Sequence, residues 1–220
     1  MRYTGYYMGL DFGYIAIVLV VILMSMTLHE AMHAFAGYWL GDNTAKDEGR
    51  LTLNPIKHID PVLTIALPLI LAVLGGPIFG GAKPVPFNPN NVRGREWGAA
   101  LVGLAGPLTN LILSFVFFVL LVVFGGTGGI VTQSLQLAVV VNLGFFIFNM
   151  IPIPPLDGSR ALYALAPDSI RQVMASMEQY GIILIFGIVM IASQQIGTLI
   201  QAIMQAILQF YASLFGISVL

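Results

Sequence analysis

The most informative stretch of this chain is an apolar run from Phe12 to Leu40 whose only acidic or basic residues are His29, Glu30 and His33. A helix of this length, rising about 1.5 Å per residue, is long enough to cross a hydrocarbon core roughly 30 Å thick. The run therefore predicts the first membrane-spanning helix. Ionisable side chains within such a helix are costly and usually functional, so this cluster, HEAMH, is the first candidate site.

The spacing within HEAMH indicates a metal site. His29 and His33 are four residues apart, so on a helix they share one face and their ring nitrogens can reach one metal ion. Glu30 lies beside them and is placed to accept a proton from water without itself binding the metal. The alternative is a helix that happens to contain two interior histidines and a carboxylate. The apolar setting argues against that alternative.

The composition agrees with an integral membrane protein. Hydrophobic residues make up 58% of the 220 residues and charged residues 9%, and the mean hydropathy is +0.90. Soluble domains contain about 25% charged residues. The net charge of −1 argues against a nucleic-acid-binding surface. The sequence contains no cysteine, so a bound metal must be held by nitrogen and oxygen atoms.

The apolar runs predict an all-α polytopic membrane protein that forms a single domain over residues 1–220, with its catalytic core at about 12–160. About five membrane-spanning helices are expected, at 12–40, 97–124, 133–150 and, in the uncharged tail 180–220, two segments divided near 193–195. A further apolar segment, 62–80, is interrupted by prolines and glycines and is either a sixth span or a re-entrant segment.

Three polar stretches connect these segments. An alternating pattern at 49–53 predicts a short strand. The proline-punctuated stretch 82–87, AKPVPF, predicts extended chain, because each proline drives the residue before it towards an extended conformation. Residues 159–180 are more polar than the membrane segments and predict an interfacial helix.

The basic residues predict the orientation of the chain. Eight of its nine Lys and Arg residues lie around segment 62–80 or after the proline-rich stretch: Lys46, Arg50, Lys57, Lys83, Arg93, Arg95, Arg160 and Arg171. Basic loops tend to stay in the cytoplasm, so a full crossing by 62–80 would put two basic loops in opposite compartments. A re-entrant segment avoids this conflict. It places HEAMH towards the cytoplasmic end of its helix, with the N-terminus outside.

A catalytic zinc site needs a third protein ligand, and outside HEAMH the chain offers His58 or a carboxylate. Asp157 follows the prolines of NMIPIPPLDG, which prevent a regular helix and can turn the carboxylate back towards the first helix. A turn or helix-capping aspartate before Gly158 explains the same residue equally well. His58 lies in a polar loop, where a structural or peripheral role is favoured over that of a ligand.

Several motifs resemble those of the site-2 proteases, a family of membrane-embedded zinc metalloproteases, and within it the small prokaryotic members that lack a PDZ or CBS domain. HEAMH is similar to the HExxH motif of that family, NMIPIPPLDG to its N-x-x-P-x-x-P-x-D-G element, and AGPLTN to its A-G-P-x-x-N helix. GRLTLNPIKHIDP and KPVPFNP resemble loops of the small subgroup. The similarity covers about residues 27–160.

This resemblance implies an intramembrane protease of the prokaryotic cell membrane, with one Zn²⁺ per chain. It implies that His29, His33 and Asp157 are zinc ligands, that Glu30 is the general base and that Asn149 lies near the substrate. The expected partners are a transmembrane protein substrate and the lipid bilayer. The expected reaction is hydrolysis of a peptide bond in that substrate by zinc-activated water.

Three further residues are candidates for holding the substrate. Asn149 can donate a hydrogen bond to the developing oxyanion, although a helix-packing amide is an equally good interpretation. The extended stretch 82–87 can offer the backbone groups of Val85 and Phe87 to an unwound substrate that adds as a strand. A plain connecting loop is the alternative for that stretch.

The competing functional class is a membrane metal-binding transporter or a catalytically inactive scaffold. Ion-coupled carriers usually place ionisable residues on several membrane helices, whereas 97–124, 133–150 and 180–220 contain none. Glu30 beside the two histidines also suits hydrolysis better than transport.

Overall fold

The computed structural model of the chain describes residues 12–67, 70–71 and 81–217. Its α-helices are α1 (Phe12–Trp39), α2 (Thr44–Asp47), α3 (Arg95–Phe124), α4 (Gly129–Asn149), α5 (Gly158–Leu165), α6 (Asp168–Gln179) and α7 (Gly181–Leu214). Short 3₁₀ turns occur at Pro55–His58, Pro89–Asn91 and Gly125–Thr127, and one π-helical turn occurs at Pro61–Ala66.

Four of these helices, α1, α3, α4 and α7, are long and apolar enough to cross a membrane. The protein is therefore an all-α polytopic integral membrane protein, and the predicted fold class is confirmed. The helices predicted at 97–124 and 133–150 begin earlier, at Arg95 and Gly129, and end at Phe124 and Asn149.

The described residues contain four candidate spans, where about five were predicted, because the tail forms one helix. α7 has 34 residues, and its backbone leaves helical geometry only at Ala192, with φ −117° and ψ 23°. The polar residues 193–195, Ser-Gln-Gln, therefore follow a kink and do not end the helix. Glutamine has a helix propensity close to that of lysine or glutamate. This polar cluster therefore lowers the local hydropathy but does not end the helix.

The strand predicted at 49–53 is wrong, and no strand occurs in the ranges that the structure describes. Gly49 has a φ of +65°, and the Arg50 amide donates to the Ala45 carbonyl at 2.7 Å. These features close the C-terminus of α2, where a left-handed glycine is favoured. The backbone donor of Arg50 is therefore used by a helix cap. Residues 81–88 also lack regular secondary structure.

The two ends of segment 62–80 meet. The Gly81 amide donates to the Leu63 carbonyl at 3.0 Å, and the Thr64 hydroxyl donates to the Gly81 carbonyl at 2.7 Å. Residues 68–69 and 72–80, on which the choice between a span and a re-entrant segment falls, lie outside the described residues. The contact shows that Leu63 and Thr64, at the start of the segment, lie next to Gly81, the residue that follows it.

The interfacial stretch 159–180 forms two helices, where one was predicted. α5 ends at Leu165 and α6 begins at Asp168. Pro167 separates them, because a proline disfavours helical geometry in the residue before it, and Ala166 has a ψ of 145°.

The membrane helices pack in two ways. The first turns of α3 present small buried residues, including Ala99 and Gly103, which let other chain segments approach its backbone closely. Further along, Phe118 of α3, Leu143 of α4 and Tyr211 of α7 belong to one buried apolar cluster. The Tyr211 hydroxyl lies 3.0 Å from that of Ser114. α7 is thereby fixed to α3 through its C-terminal half.

The chain after α4 turns sharply, as its prolines predict. Residues 150–157 form turns and bends, and α5 begins at Gly158. A Cβ atom on Gly158 would lie 2.4 Å from the Met150 carbonyl oxygen, so only glycine permits this close return. The turn carries Asp157 back against α3, since the Asp157 carbonyl lies 3.2 Å from the position of a Cβ on Gly103.

Candidate active site

Three candidate ligand atoms converge at the inner face of α1. Nε2 of His29 and Nε2 of His33 are 3.0 Å apart, and Oδ2 of Asp157 lies 3.0 Å from the first and 3.3 Å from the second. These three side chains could together hold a metal ion, and they form the one such group of His, Asp and Glu residues in the described ranges. Two helical residues four apart and one aspartate from the turn after α4 thus meet at one point.

The outer ring nitrogens of both histidines are held by hydrogen bonds. Nδ1 of His33 donates to the Val102 carbonyl at 2.7 Å, and Nδ1 of His29 lies 2.5 Å from Oδ1 of Asn110. Because the Nδ1 atoms carry these protons, each neutral imidazole presents an unprotonated Nε2 atom to the cluster. This is the tautomer that a metal-binding histidine with a bound Nδ1–H adopts.

Asn110 is oriented by a buried polar network that the sequence did not predict. Its amide nitrogen donates to Oδ1 of Asn142 at 2.8 Å and to the Ser25 carbonyl at 3.4 Å, which leaves its oxygen for His29. The amide of Asn142 donates in turn to the Ser25 hydroxyl at 2.9 Å and to the Ala138 carbonyl at 2.8 Å. Asn110 and Asn142 have no exposed surface. The signal available in the sequence was an amide within each apolar helix, Asn110 as the single amide of α3 and Asn142 as one of four in α4.

Gly106 of α3 leaves room for the cluster. A Cβ atom at this position would lie 2.3 Å from Nε2 of His33 and 2.6 Å from Nε2 of His29. No side chain fits there without moving an imidazole. The glycine therefore brings the backbone of α3 directly against the converging nitrogen atoms.

The cluster fits a zinc ion in its chemistry and its dimensions. Tetrahedral zinc binds nitrogen and oxygen atoms at about 2.0–2.1 Å, which separates neighbouring ligand atoms by roughly 3.3 Å. The three observed separations of 3.0 to 3.3 Å match this spacing. Two imidazole lone pairs and a carboxylate also repel one another at these distances unless a cation lies between them.

Asp157 is suited to bind a cation. Burial raises its pKa, but positive charge on the adjacent His33 and His29, when these imidazoles are protonated, outweighs burial and holds the pKa of this carboxyl well below its usual range. A metal cation bound between neutral imidazoles would supply the same positive charge. Asp157 is therefore an anion at neutral pH, as a carboxylate ligand must be.

Glu30 lies beside the cluster but is not part of the group whose ligand atoms all fall within 4.8 Å of one another. It is partly buried, and its Oε2 accepts a hydrogen bond from the Val85 amide at 3.1 Å. The carboxylate is thus anchored by the stretch that follows segment 62–80.

The other candidate residues lie at different places. Asn149 is the last residue of α4, and its amide donates to the Phe145 carbonyl at 3.0 Å. Phe87 is partly buried and packs near Gly37 of α1. His58 is fully buried but outside the metal-binding group, with Nε2 at 2.9 Å from the Thr52 carbonyl. The structure therefore brings Asp157, and not His58, to the two histidines of α1.

Comparison with known proteins identifies relatives over most of the chain. The sequence is 38% identical over 207 residues to the Bacillus subtilis (strain 168) protein named putative zinc metalloprotease YwhC, covering 89% of this chain and 91% of that protein. It is 33% identical over 182 residues to putative zinc metalloprotease Rip2 of Mycolicibacterium smegmatis, covering 79% of this chain and 67% of that protein. A stretch of 61 residues is 44% identical to putative zinc metalloprotease MJ0611 of Methanocaldococcus jannaschii, covering 28% of this chain and 31% of that protein.

No family model matches the chain, and no solved structure matches it. The similarity to YwhC extends over nearly the whole length of both proteins. This relationship, together with the motifs HEAMH and NMIPIPPLDG, shows that the chain belongs to the site-2 protease-like family of zinc metalloproteases.

Proposed function

We propose that this protein is an intramembrane zinc metalloprotease that hydrolyses peptide bonds of transmembrane substrate proteins. The observation that carries the proposal is the convergence of His29, His33 and Asp157 on one point, with Glu30 beside it. Both histidines belong to α1, a helix that is long and apolar enough to cross a membrane. The relatives named zinc metalloproteases support the metal and the reaction class.

In this proposal the three side chains hold one zinc ion per chain. When bound, zinc supplies a Lewis acid that lowers the pKa of water and polarises a carbonyl. Asn110 and the Val102 carbonyl keep the two imidazoles in the tautomer that exposes Nε2. Gly106 keeps the space around the nitrogen atoms free of side chains.

Glu30 acts as the general base. Its carboxylate accepts a proton from the attacking water while the water oxygen bonds to the carbonyl carbon of the substrate. Glu30 then passes the proton to the amide nitrogen as the carbon–nitrogen bond breaks, which yields a carboxylic acid and an amine. The Val85 amide restrains Oε2 and so restricts rotation of the side chain during these transfers.

The substrate contacts remain proposals from the sequence. The amide nitrogen of Asn149 carries two hydrogens, and its bond to Phe145 uses one of them, so the other can serve a developing oxyanion. Val85 already donates its amide to Glu30. A substrate strand added at this segment would therefore pair with the Val85 carbonyl and with the backbone of Phe87.

We further propose that the protein lies in a prokaryotic cell membrane with its active site towards the cytoplasmic side. The support is the distribution of the basic residues, which lie in the loops around HEAMH and after Asp157. The Gly-rich connection between α3 and α4 contains no basic residue.

The decisive experiment is proteolysis by purified protein in detergent. A single-span substrate should be cleaved by the wild-type protein, cleavage should stop with a zinc chelator, and added zinc should restore it. Glu30→Gln should retain about one zinc per chain while losing cleavage, because the amide cannot accept the proton. Asp157→Ala should lose zinc. Cleavage by Glu30→Gln at the wild-type rate would refute the role of the base, and zinc loss in that variant would make Glu30 a ligand.

A further inference from the structure

Arg50 and His58 form a buried pair outside the metal-binding group. Arg50 is 4% exposed and His58 is 0% exposed, although both belong to the most polar loop of the chain. Nη2 of Arg50 lies 3.3 Å from Nδ1 of His58. Because Nε2 of His58 is 2.9 Å from the Thr52 carbonyl, the proton is on Nε2, and Nδ1 accepts from the guanidinium.

Both members of the pair bind the same short stretch of backbone. Nη2 of Arg50 donates to the Lys83 carbonyl at 2.7 Å, and Nη1 donates to the Pro84 carbonyl at 3.2 Å. The His58 carbonyl accepts from the Lys83 amide at 2.9 Å. Lys83 is therefore held on both its backbone donor and its acceptor, and Pro84, which has no N–H, is held on its acceptor.

The Pro84–Val85 peptide connects this pair to Glu30. Its carbonyl accepts from Arg50, and its N–H, which belongs to Val85, donates to Oε2 of Glu30 at 3.1 Å. One peptide plane thus lies between a guanidinium and a carboxylate. A charged donor on the carbonyl polarises the peptide and makes its N–H a stronger donor.

The charge of Arg50 is otherwise unexplained. In the described ranges no carboxylate forms an ion pair with it, and its Nε atom is buried without a hydrogen-bond partner. A buried arginine is costly unless its hydrogen bonds are satisfied. Here the Nη atoms are satisfied by Nδ1 of His58 and by two carbonyls, both of which belong to the stretch that holds Glu30.

We propose that Arg50 and His58 are positioning residues that act on Glu30 through the Pro84–Val85 peptide. The inference rests on the proposed role of Glu30 as the general base. Arg50 fixes and polarises the peptide, and His58 fixes the guanidinium. The Val85 amide then holds the Glu30 carboxylate in one orientation.

The test compares kcat, KM and zinc content of Arg50→Lys, His58→Asn and His58→Ala on a single-span substrate. Lysine cannot contact two carbonyls with one planar group, so Arg50→Lys should lower kcat about ten-fold, with little change in KM or zinc content. His58→Asn can keep an acceptor near Nδ1, so it should retain more activity than His58→Ala. Wild-type kcat in both Arg50→Lys and His58→Ala would overturn the proposal.

Arg171→Lys is the matched control. Arg171 also donates to two successive backbone carbonyls, those of Tyr163 and Ala164, but in the segment after Asp157. Its replacement should leave kcat unchanged. A ten-fold loss in Arg171→Lys as well would mean that the Arg50 effect is not specific, which would count against the proposal.

A double-mutant cycle with Val85→Pro tests the route of action. Proline removes the N–H that reaches Glu30, so Val85→Pro should itself lower kcat while retaining zinc. If Arg50 acts through this amide, Arg50→Lys should cause no further loss in the Val85→Pro background. Fully multiplicative losses would refute the proposed route.

Two controls keep the result interpretable. If Arg50→Lys fails to fold, the cycle between His58→Ala and Val85→Pro decides the question by the same criterion. Glu30→Gln is measured in parallel. If Glu30→Gln is inactive while the losses of kcat in the cycle multiply, the positioning role of Arg50 and His58 is refuted and the role of Glu30 stands. If Glu30→Gln is active, the proposed role of Glu30 as the general base is refuted as well.

Discussion

Oδ1 of Asn110 lies 2.5 Å from Nδ1 of His29, and both residues are buried. The contact joins the middle of α3 to the face of α1 that carries the candidate metal site. It sets which nitrogen of His29 is free, and an outer hydrogen bond of this kind commonly contributes a factor of about 10 to 100 in metal affinity.

Replacing Asn110 should therefore weaken zinc binding. We expect Asn110→Ala to lower zinc affinity by a factor of about 10 to 100, because the Nδ1–H of His29 loses its acceptor. Asn110→Asp keeps an acceptor oxygen and should retain more affinity. Competition with a chromophoric chelator measures both values, and the visible spectrum of the cobalt-substituted protein reports ligand geometry. Equal affinities for the Ala variant and the wild type would contradict the role assigned to Asn110.

Gly106→Ala should abolish zinc binding. Its Cβ atom would lie 2.3 Å from Nε2 of His33, closer than any real contact, so the imidazole or α3 must move. Gly144→Ala is the matched control, because a Cβ there meets nothing within 4 Å. Metal analysis of both purified variants provides the measurement. Stoichiometric zinc in Gly106→Ala would show that the site tolerates the methyl group.

The loops before and after segment 62–80 should both be accessible from the same side of the membrane, the cytoplasmic side. Single cysteines at the exposed positions Asn43 and Asn90 should react with a membrane-impermeant maleimide only when it has access to the cytoplasmic side. The native chain contributes no background thiol. A cysteine at the exposed Gly126, between α3 and α4, should react from the opposite side. Labelling of positions 43 and 90 from opposite sides would contradict the re-entrant assignment.

Asp42 should make the folded state sensitive to acid. This buried carboxylate accepts hydrogen bonds from Thr44, from the Asn88 amide at 2.8 Å and from Asn91 at 3.1 Å. Burial alone would raise its pKa, but these bonds outweigh it and lower the pKa below the ordinary value of 3.8. A folded-state pKa below the unfolded one stabilises the protein above about pH 4, and this stabilisation is lost as the pH falls through the folded-state pKa.

The measurement for Asp42 is Tm in detergent between about pH 7 and pH 3. Because an asparagine side chain cannot ionise, the Tm of Asp42→Asn should fall less on acidification than that of the wild type. Asp168→Asn is the control, since the Asp168 side chain is 92% exposed. Identical acid sensitivity of the wild type and Asp42→Asn would rule out this contribution.

Features that depend on local pattern could be predicted from the sequence. Length and apolar composition located α1, α3 and α4, because a membrane helix must satisfy its backbone within one continuous segment. The i, i+4 spacing placed His29 and His33 on one face, and the prolines before Asp157 predicted the broken chain at the end of α4. The prediction of two segments in the tail is wrong because Ser-Gln-Gln lowers hydropathy without opposing a helix. The prediction of a strand at 49–53 is wrong because a helix cap uses the backbone there.

Which distant residues meet depends on the packing of the helices. Asp157 reaches His29 across 128 positions of sequence. The choice between Asp157 and His58 depends on how α3, α4 and the turn after α4 pack against α1. The same packing places Gly106 against the imidazoles and directs Asn110 to His29. Local propensity carries no information on these contacts, because each of them is set by the relative position of two elements and not by the residues within one.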